Sequence, residues 1–174
     1  MTQTKAKKPM TKRVKKANGY TRVATDKERR SDANKAIAYL RDQRQRKTLK
    51  CHHGFDWQGH CAHVVACAYG SKSGANESPG GGAYSGWNAF QGWLATAEKY
   101  RRDGRNMDDP PRGALCFWKG GKYGHVAISN GRGKIWGNDA PSNRYIGLVP
   151  LPWFASHWGF TYVGWVWPDE VAGW

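Results

Sequence analysis

Charge is divided unevenly along this chain, and the division decides where a core can form. In residues 1–50, 17 Lys and Arg face 4 Asp and Glu, a net +13, whereas residues 51–174 hold 11 against 9, a net +2. The first thirty residues combine repeated like charges with few large apolar groups, so burial there cannot offset the entropy of ordering the backbone. They are expected to form a mobile basic tail, and the folded domain is expected to run from 31 to 174. A chain of 174 residues supports one such domain, and its ten tryptophans supply much of the apolar volume. The tail would attract polyanions of any kind, whether nucleic acid, anionic lipid or phosphate-bearing wall polymers, and the attraction would weaken with salt.

No apolar stretch approaches the roughly twenty residues that cross a bilayer, and the basic start is not followed by an apolar h-region. A soluble monomer without a membrane span or signal peptide is expected. Four cysteines are too few for a dense disulfide scaffold, so reduced thiols are expected, with a Cys51–Cys61 disulfide left open.

Ser31 is placed to cap a helix running to about Lys47, with Ala33, Ala36, Ile37 and Leu40 on its buried face. The segment GHCAHVVACAYG, from Gly59 to Gly70, opens as a turn; Val64, Val65, Ala68 and Tyr69 then recur at helical spacing, which starts a second helix at Cys61. Residues 71–82 read as a loop, and Ala83 to Arg102 as a helix with Trp87, Phe90, Leu94 and Ala97 inward. From Asp108 onward the pattern changes to short β-like runs at Ala114–Trp118, His125–Ser129, Lys134–Asn138 and Phe160–Trp167. A short helix within Leu151–Trp158 is begun by Pro152 and stopped by Gly159. Helices first and strands later predict an α+β fold.

Cys61 stands at a helix mouth, where free N–H groups and the helix dipole favour a thiolate and would bring its pKa below the usual value of about 8.5. Cys67 and Cys116 lie inside apolar runs and read as small core residues. A thiol nucleophile needs a base and a third group that fixes the base's tautomer. His125, at a strand start after a glycine-rich turn, is the natural base. If the loop of the next hairpin has four residues, Ser129 pairs with Lys134 and His125 falls opposite Asn138; a bulge at the glycines brings Asp139 there instead. Either side chain can orient an imidazole. Cys51, His52, His53, His60, Cys61, His63 and Cys67 crowd seventeen positions, with His63 one helical turn before Cys67. Their spacing matches no common zinc pattern, so no metal or cofactor is assigned.

Trp57-Gln58-Gly59-His60-Cys61, PPRGALCFW, GHVAISNGRGKIWGNDAP and LPWFASHWGFTYVGWVWP together resemble the peptidase domains of phage endolysins. These belong to the papain-like cysteine peptidase fold that includes the CHAP (cysteine- and histidine-dependent amidohydrolase/peptidase) and NlpC-type enzymes. The resemblance covers roughly residues 31–168. It implies N-terminal helices, with the nucleophile at a helix start, packed on a small antiparallel sheet. It also implies a peptidoglycan hydrolase in which Cys61 attacks an amide of the bacterial cell wall, His125 handles the proton and Asp139 ranks before Asn138 as the third residue. The Cys61 N–H, with Gln58 or a turn N–H as second donor, would serve the oxyanion, and Trp57, Trp118 and Trp136 would line a groove, although each tryptophan suits a core equally well. The NlpC-type Asp-Cys-Ser-Gly motif is absent, since His60 and Ala62 flank Cys61; intact wall is therefore the expected substrate rather than small muropeptides. Such a protein would act from the host cytoplasm on the wall, or travel with the virion. The alternative is a non-enzymatic virion or nucleic-acid-binding protein that uses its basic tail and retains only the peptidase-like shape.

Overall fold

A computed structural model of the chain describes residues 14–16, 19–21, 24–52, 54–70, 83–104, 106 and 108–171, with side chains from 24 onward except at 83–89. The expected 71–82 loop, Trp87, His53 and much of the tail lie outside these described residues or side chains. The architecture is α+β. Within the segment expected to be a tail, β1 (Val14–Lys16) pairs antiparallel with β2 (Gly19–Thr21).

Helix α1 spans Asp26–Gln45 and so begins five residues before Ser31. Its N-cap is Thr25. The Glu28 N–H donates to Thr25 Oγ1, and the Thr25 N–H donates to the Glu28 carboxylate at 2.7 Å, a reciprocal box that satisfies two otherwise orphaned donors. Arg29, counted above with the tail, instead grips Asp169 through Nε at 3.0 Å and Nη2 at 2.8 Å, while the Ala24 N–H donates to the same carboxylate. Residues 24–30 therefore pack with the helical unit through the cap and the Asp169 contacts. Ala33, Ala36, Ile37 and Leu40 are all buried, as their spacing predicts.

Helix α2 spans Cys61–Tyr69 and ends on Gly70 in the left-handed conformation, and α3 spans Ala83–Arg102. A five-stranded antiparallel sheet follows: β3 (Leu115–Lys119), β4 (His125–Gly131), β5 (Lys134–Asn138), β6 (Ile146–Pro150) and β7 (Thr161–Val166), in the order β6-β5-β4-β3-β7. β6 is an edge strand that periodicity does not announce. Helix α4 (Trp153–Trp158) lies between β6 and β7, starting after Pro152 and ending at left-handed Gly159.

Alternation along the strands separates two cores. Leu115, Phe117, Val126, Ile128, Trp136 and Ile146 face the layer of α1, α2 and α3. Cys116, Trp118, Ala127, Ile135 and Val149 face the other way and are covered by Phe154 of α4, with Trp158 and Phe160 alongside. Fully buried side chains of this size contribute roughly 1.5–3 kcal/mol each, so both faces of the sheet hold the site's framework in place.

Among the described residues no helix is long and apolar enough to cross a membrane.

Candidate active site

Cys61 is the first residue of α2, with His60 as N-cap. The backbone N–H groups of Val126 and Ala62, with that of Cys61 itself, favour the ionised form of its sulfur. These donors would stabilise a thiolate, yet enclosure of the sulfur outweighs them. Desolvation, helped by the negative Asp139, pushes the thiol up to about 11 rather than below its ordinary value. The expected thiolate is therefore corrected: the resting group is a protonated thiol.

The turn leading into α2 is tied down from β5. Asp139 adopts φ +57°, uncommon for a residue with a Cβ, and its carboxylate accepts three N–H donors. Gly59 N–H and Asn138 Nδ2 meet Oδ2 at 2.8 Å each, and Arg144 N–H meets Oδ1 at 2.8 Å. Asn138 Nδ2 also donates to the Trp57 carbonyl at 2.7 Å, while its buried Oδ1 has no hydrogen-bond partner. An ion pair between Arg144 and Asp56 closes the same seam from outside. Asp139 and Asn138 thus fix the turn that presents Cys61.

The β4–β5 hairpin carries a bulge between Ser129 and Gly131, and Ile128 pairs with Trp136. Continuing that register puts His125 opposite Asp139 and Val126 opposite Asn138, the bulged alternative of the sequence reading. Backbone opposition does not bring the side chains together, because the left-handed Asp139 turns its carboxylate toward Gly59.

His125 is buried and shares the sheet face of Trp118, its partner across β3. Its ring centroid lies 3.9 Å from that of Phe154 and 5.6 Å from that of Trp158. Its Nε2 is enclosed and unpartnered, and burial holds the ring neutral with a pKa of about 3. Cys61 instead packs against the helix-side core. The two side chains reach the start of β4 from different sides, and no hydrogen bond joins them.

The remaining candidates separate by burial. Trp57 and Trp118 are wholly buried, so the expected groove role is corrected to core. Trp57 Nε1 donates to Thr48 Oγ1 at 3.2 Å. Trp136 is nearly buried, its Nε1 donating to Asn130 Oδ1, but one edge borders an open hollow of about 500 Å³ shared with Arg41, Arg44 and Lys47. Gln58 is exposed, and its backbone N–H is taken by Asp56 Oδ1 at 2.9 Å.

A second constellation was not assigned from spacing. Cys51, His63 and Cys67 are buried together, their ligand atoms all within 4.8 Å of one another. Nε2 of His63 lies 3.0 Å from Cys51 Sγ and 3.3 Å from Cys67 Sγ. All four cysteines are free, so the disulfide left open between Cys51 and Cys61 is not formed. The signal in sequence was His63 and Cys67 one helical turn apart; the third member comes from a loop that no periodicity positions.

The fold and site define an α+β protein with a helix-mouth thiol on one side of α2 and a Cys/His trio built from two residues of the same helix and one of the preceding loop. No family model, curated protein or solved structure matches the chain.

Proposed function

We propose that this protein is a cysteine hydrolase that cuts an amide bond of bacterial peptidoglycan, in a papain-like frame with Cys61 as nucleophile. The observation that carries the reading is the placement of Cys61 as the first residue of α2, in the same core cluster as Val126, the residue directly after His125 on β4. A protonated thiol needs a base at the moment of attack. His125 would supply it once its ring leaves the Phe154–Trp158 pocket for the Cys61 side of β4, a move that shifts the start of the strand as well as the side chain, and the unpartnered Oδ1 of Asn138 could then accept its one N–H.

The Cys61 proton passes to the imidazole as the S–C bond forms. The imidazolium then protonates the leaving amine as the C–N bond breaks. Water cleaves the thioester to a carboxylate product and returns the thiol. The Cys61 N–H, with the exposed Gln58 side chain nearby, stabilises the oxyanion.

The test is mass spectrometry of purified peptidoglycan digested by wild type, Cys61→Ala and His125→Ala. New amine and carboxyl ends made by wild type, and reduced by at least about a thousandfold in Cys61→Ala, are expected. Undiminished cleavage by Cys61→Ala, or none by wild type across several wall types, overturns the reading. The second reading, a polyanion binder, is favoured by the exposed run of Arg41, Arg44, Arg46 and Lys47 at the end of α1. It predicts salt-sensitive binding that is indifferent to Cys61.

A further inference from the structure

We propose that Cys51, His63 and Cys67 hold one zinc ion, a structural site on the side of α2 away from Cys61. His63 and Cys67 are four residues apart on α2 and so project from one face, whereas Cys61, two residues before His63, is rotated by about 200° around the helix. Cys51 reaches the pair from a loop that is itself closed. Its N–H donates to Phe55 O at 2.9 Å, the Gly54 N–H donates to Cys51 O at 3.0 Å, and the Trp57 N–H donates to Leu49 O at 3.0 Å. The third ligand is therefore preorganised rather than dangling.

The donor geometry suits an ion. His63 Nε2 faces both sulfurs, at 3.0 and 3.3 Å, so the three ligand atoms already converge on one point. An ion between the three atoms engages all of them. Zn–S bonds of about 2.3 Å and Zn–N bonds of about 2.0 Å at a tetrahedral angle put sulfur and nitrogen about 3.5 Å apart. The 3.0 and 3.3 Å separations reach this with a movement of a few tenths of an ångström, and the two sulfurs, within 4.8 Å of each other, close by at most about 1 Å to the roughly 3.8 Å of a tetrahedral pair.

Charge agrees with burial. Two thiolates, a neutral imidazole and Zn²⁺ sum to zero, which a site closed to water requires. Binding releases the two thiol protons to solvent. Tyr39 of α1 hydrogen-bonds Cys67 and would support a thiolate there from the outer shell. The Phe55 ring, 4.5 Å from that of His63 between centroids, shields the imidazole. Among the described residues no further His, Cys, Asp or Glu joins the group. The ion would staple the 49–57 loop to α2 and hold the turn bearing Cys61, without consuming that thiol.

The experiment is metal analysis of the full chain purified from zinc-supplemented cells, followed by cobalt titration of the chelator-stripped protein. About one zinc per chain is expected in wild type and in Cys61→Ala, falling at least tenfold in His63→Ala and in the Cys51→Ser/Cys67→Ser double variant. Cobalt should give thiolate-to-metal charge-transfer absorption in wild type, a readout that stands even if the variants fail to fold. Absence of both zinc and the cobalt spectrum overturns the site, as does a Cys51–Cys67 disulfide in the freshly purified protein. Zinc lost from Cys61→Ala but kept by the double variant would move the metal to the nucleophile and overturn it as well.

Discussion

At the scale of single residues, Asp139 and His125 do different work from what strand alternation assigns them. Asp139 spends its carboxylate on Gly59, Asn138 and Arg144. Charge-assisted hydrogen bonds of this kind, left unmade, make Asp139→Ala cost roughly 2–4 kcal/mol, read as a lower urea midpoint. A residue that only oriented an imidazole would lose activity with the midpoint unchanged. His125, neutral in its aromatic pocket, has a folded-state pKa of about 3 against about 6.5 for an unfolded histidine. Between those values the unfolded chain binds the extra proton. The contribution of this ring to stability is therefore complete above about pH 6.5 and is lost as pH falls toward 3, by up to about tenfold in the folding equilibrium per pH unit. Urea melts from pH 7 to pH 4 should show a steeper loss in wild type than in His125→Leu; parallel curves would remove the ring from that pocket. Sequence supplied both residue identities and left the bulged register as one of two alternatives. It did not supply the left-handed turn at Asp139, because a period of two describes faces only while φ stays negative.

Secondary-structure elements were legible where a periodic apolar face met recognisable caps. The spacing of Ala33, Ala36, Ile37 and Leu40 located α1, Cys61 and Gly70 bracketed α2, and Pro152 and Gly159 bracketed α4. α1 starts earlier than its apolar spacing implies because Thr25-Asp26-Lys27-Glu28, a capping-box sequence, begins the helix within a charged stretch that has no apolar periodicity. Thr25→Ala should lower stability by about 1 kcal/mol in thermal or urea unfolding, with the loss confined to exchange protection in the first turn of α1. β6 escaped detection because Ile146-Gly147-Leu148-Val149-Pro150 is short, contains glycine and ends in proline. Its glycine is required by contact, since a Cβ at Gly147 would sit 2.0 Å from the Ala140 carbonyl oxygen. Gly147→Ala must displace backbone rather than a side chain and should cost about 1–3 kcal/mol. A midpoint equal to wild type would mean that the 139–145 loop does not lie on β6.

At the scale of the whole molecule, two cores on a single sheet tie the N-terminal helices to the C-terminal strands, and the Arg29–Asp169 clasp adds a charged link between the same ends. Removing the basic residues to test their role in wall binding therefore depends on where the cut is made. Deletion of residues 1–23 should weaken adsorption to cell walls at low salt while leaving the melting temperature within a degree or two of wild type. Deletion of residues 1–30 also strips the cap and the clasp and should cost roughly 2–4 kcal/mol of stability. Equal stability of the two truncations would show that the clasp contributes nothing.

The clasp has one more consequence. Ala24, just before the α1 cap, and Asp169, just after β7, are joined by a hydrogen bond of 3.2 Å, so the two ends of the α1–β7 unit meet. The unit therefore begins and finishes at one spot on its surface. It can be spliced as a cassette into a surface loop of an unrelated polypeptide, or have its own ends joined and be reopened elsewhere, without stretching the chain at the junction.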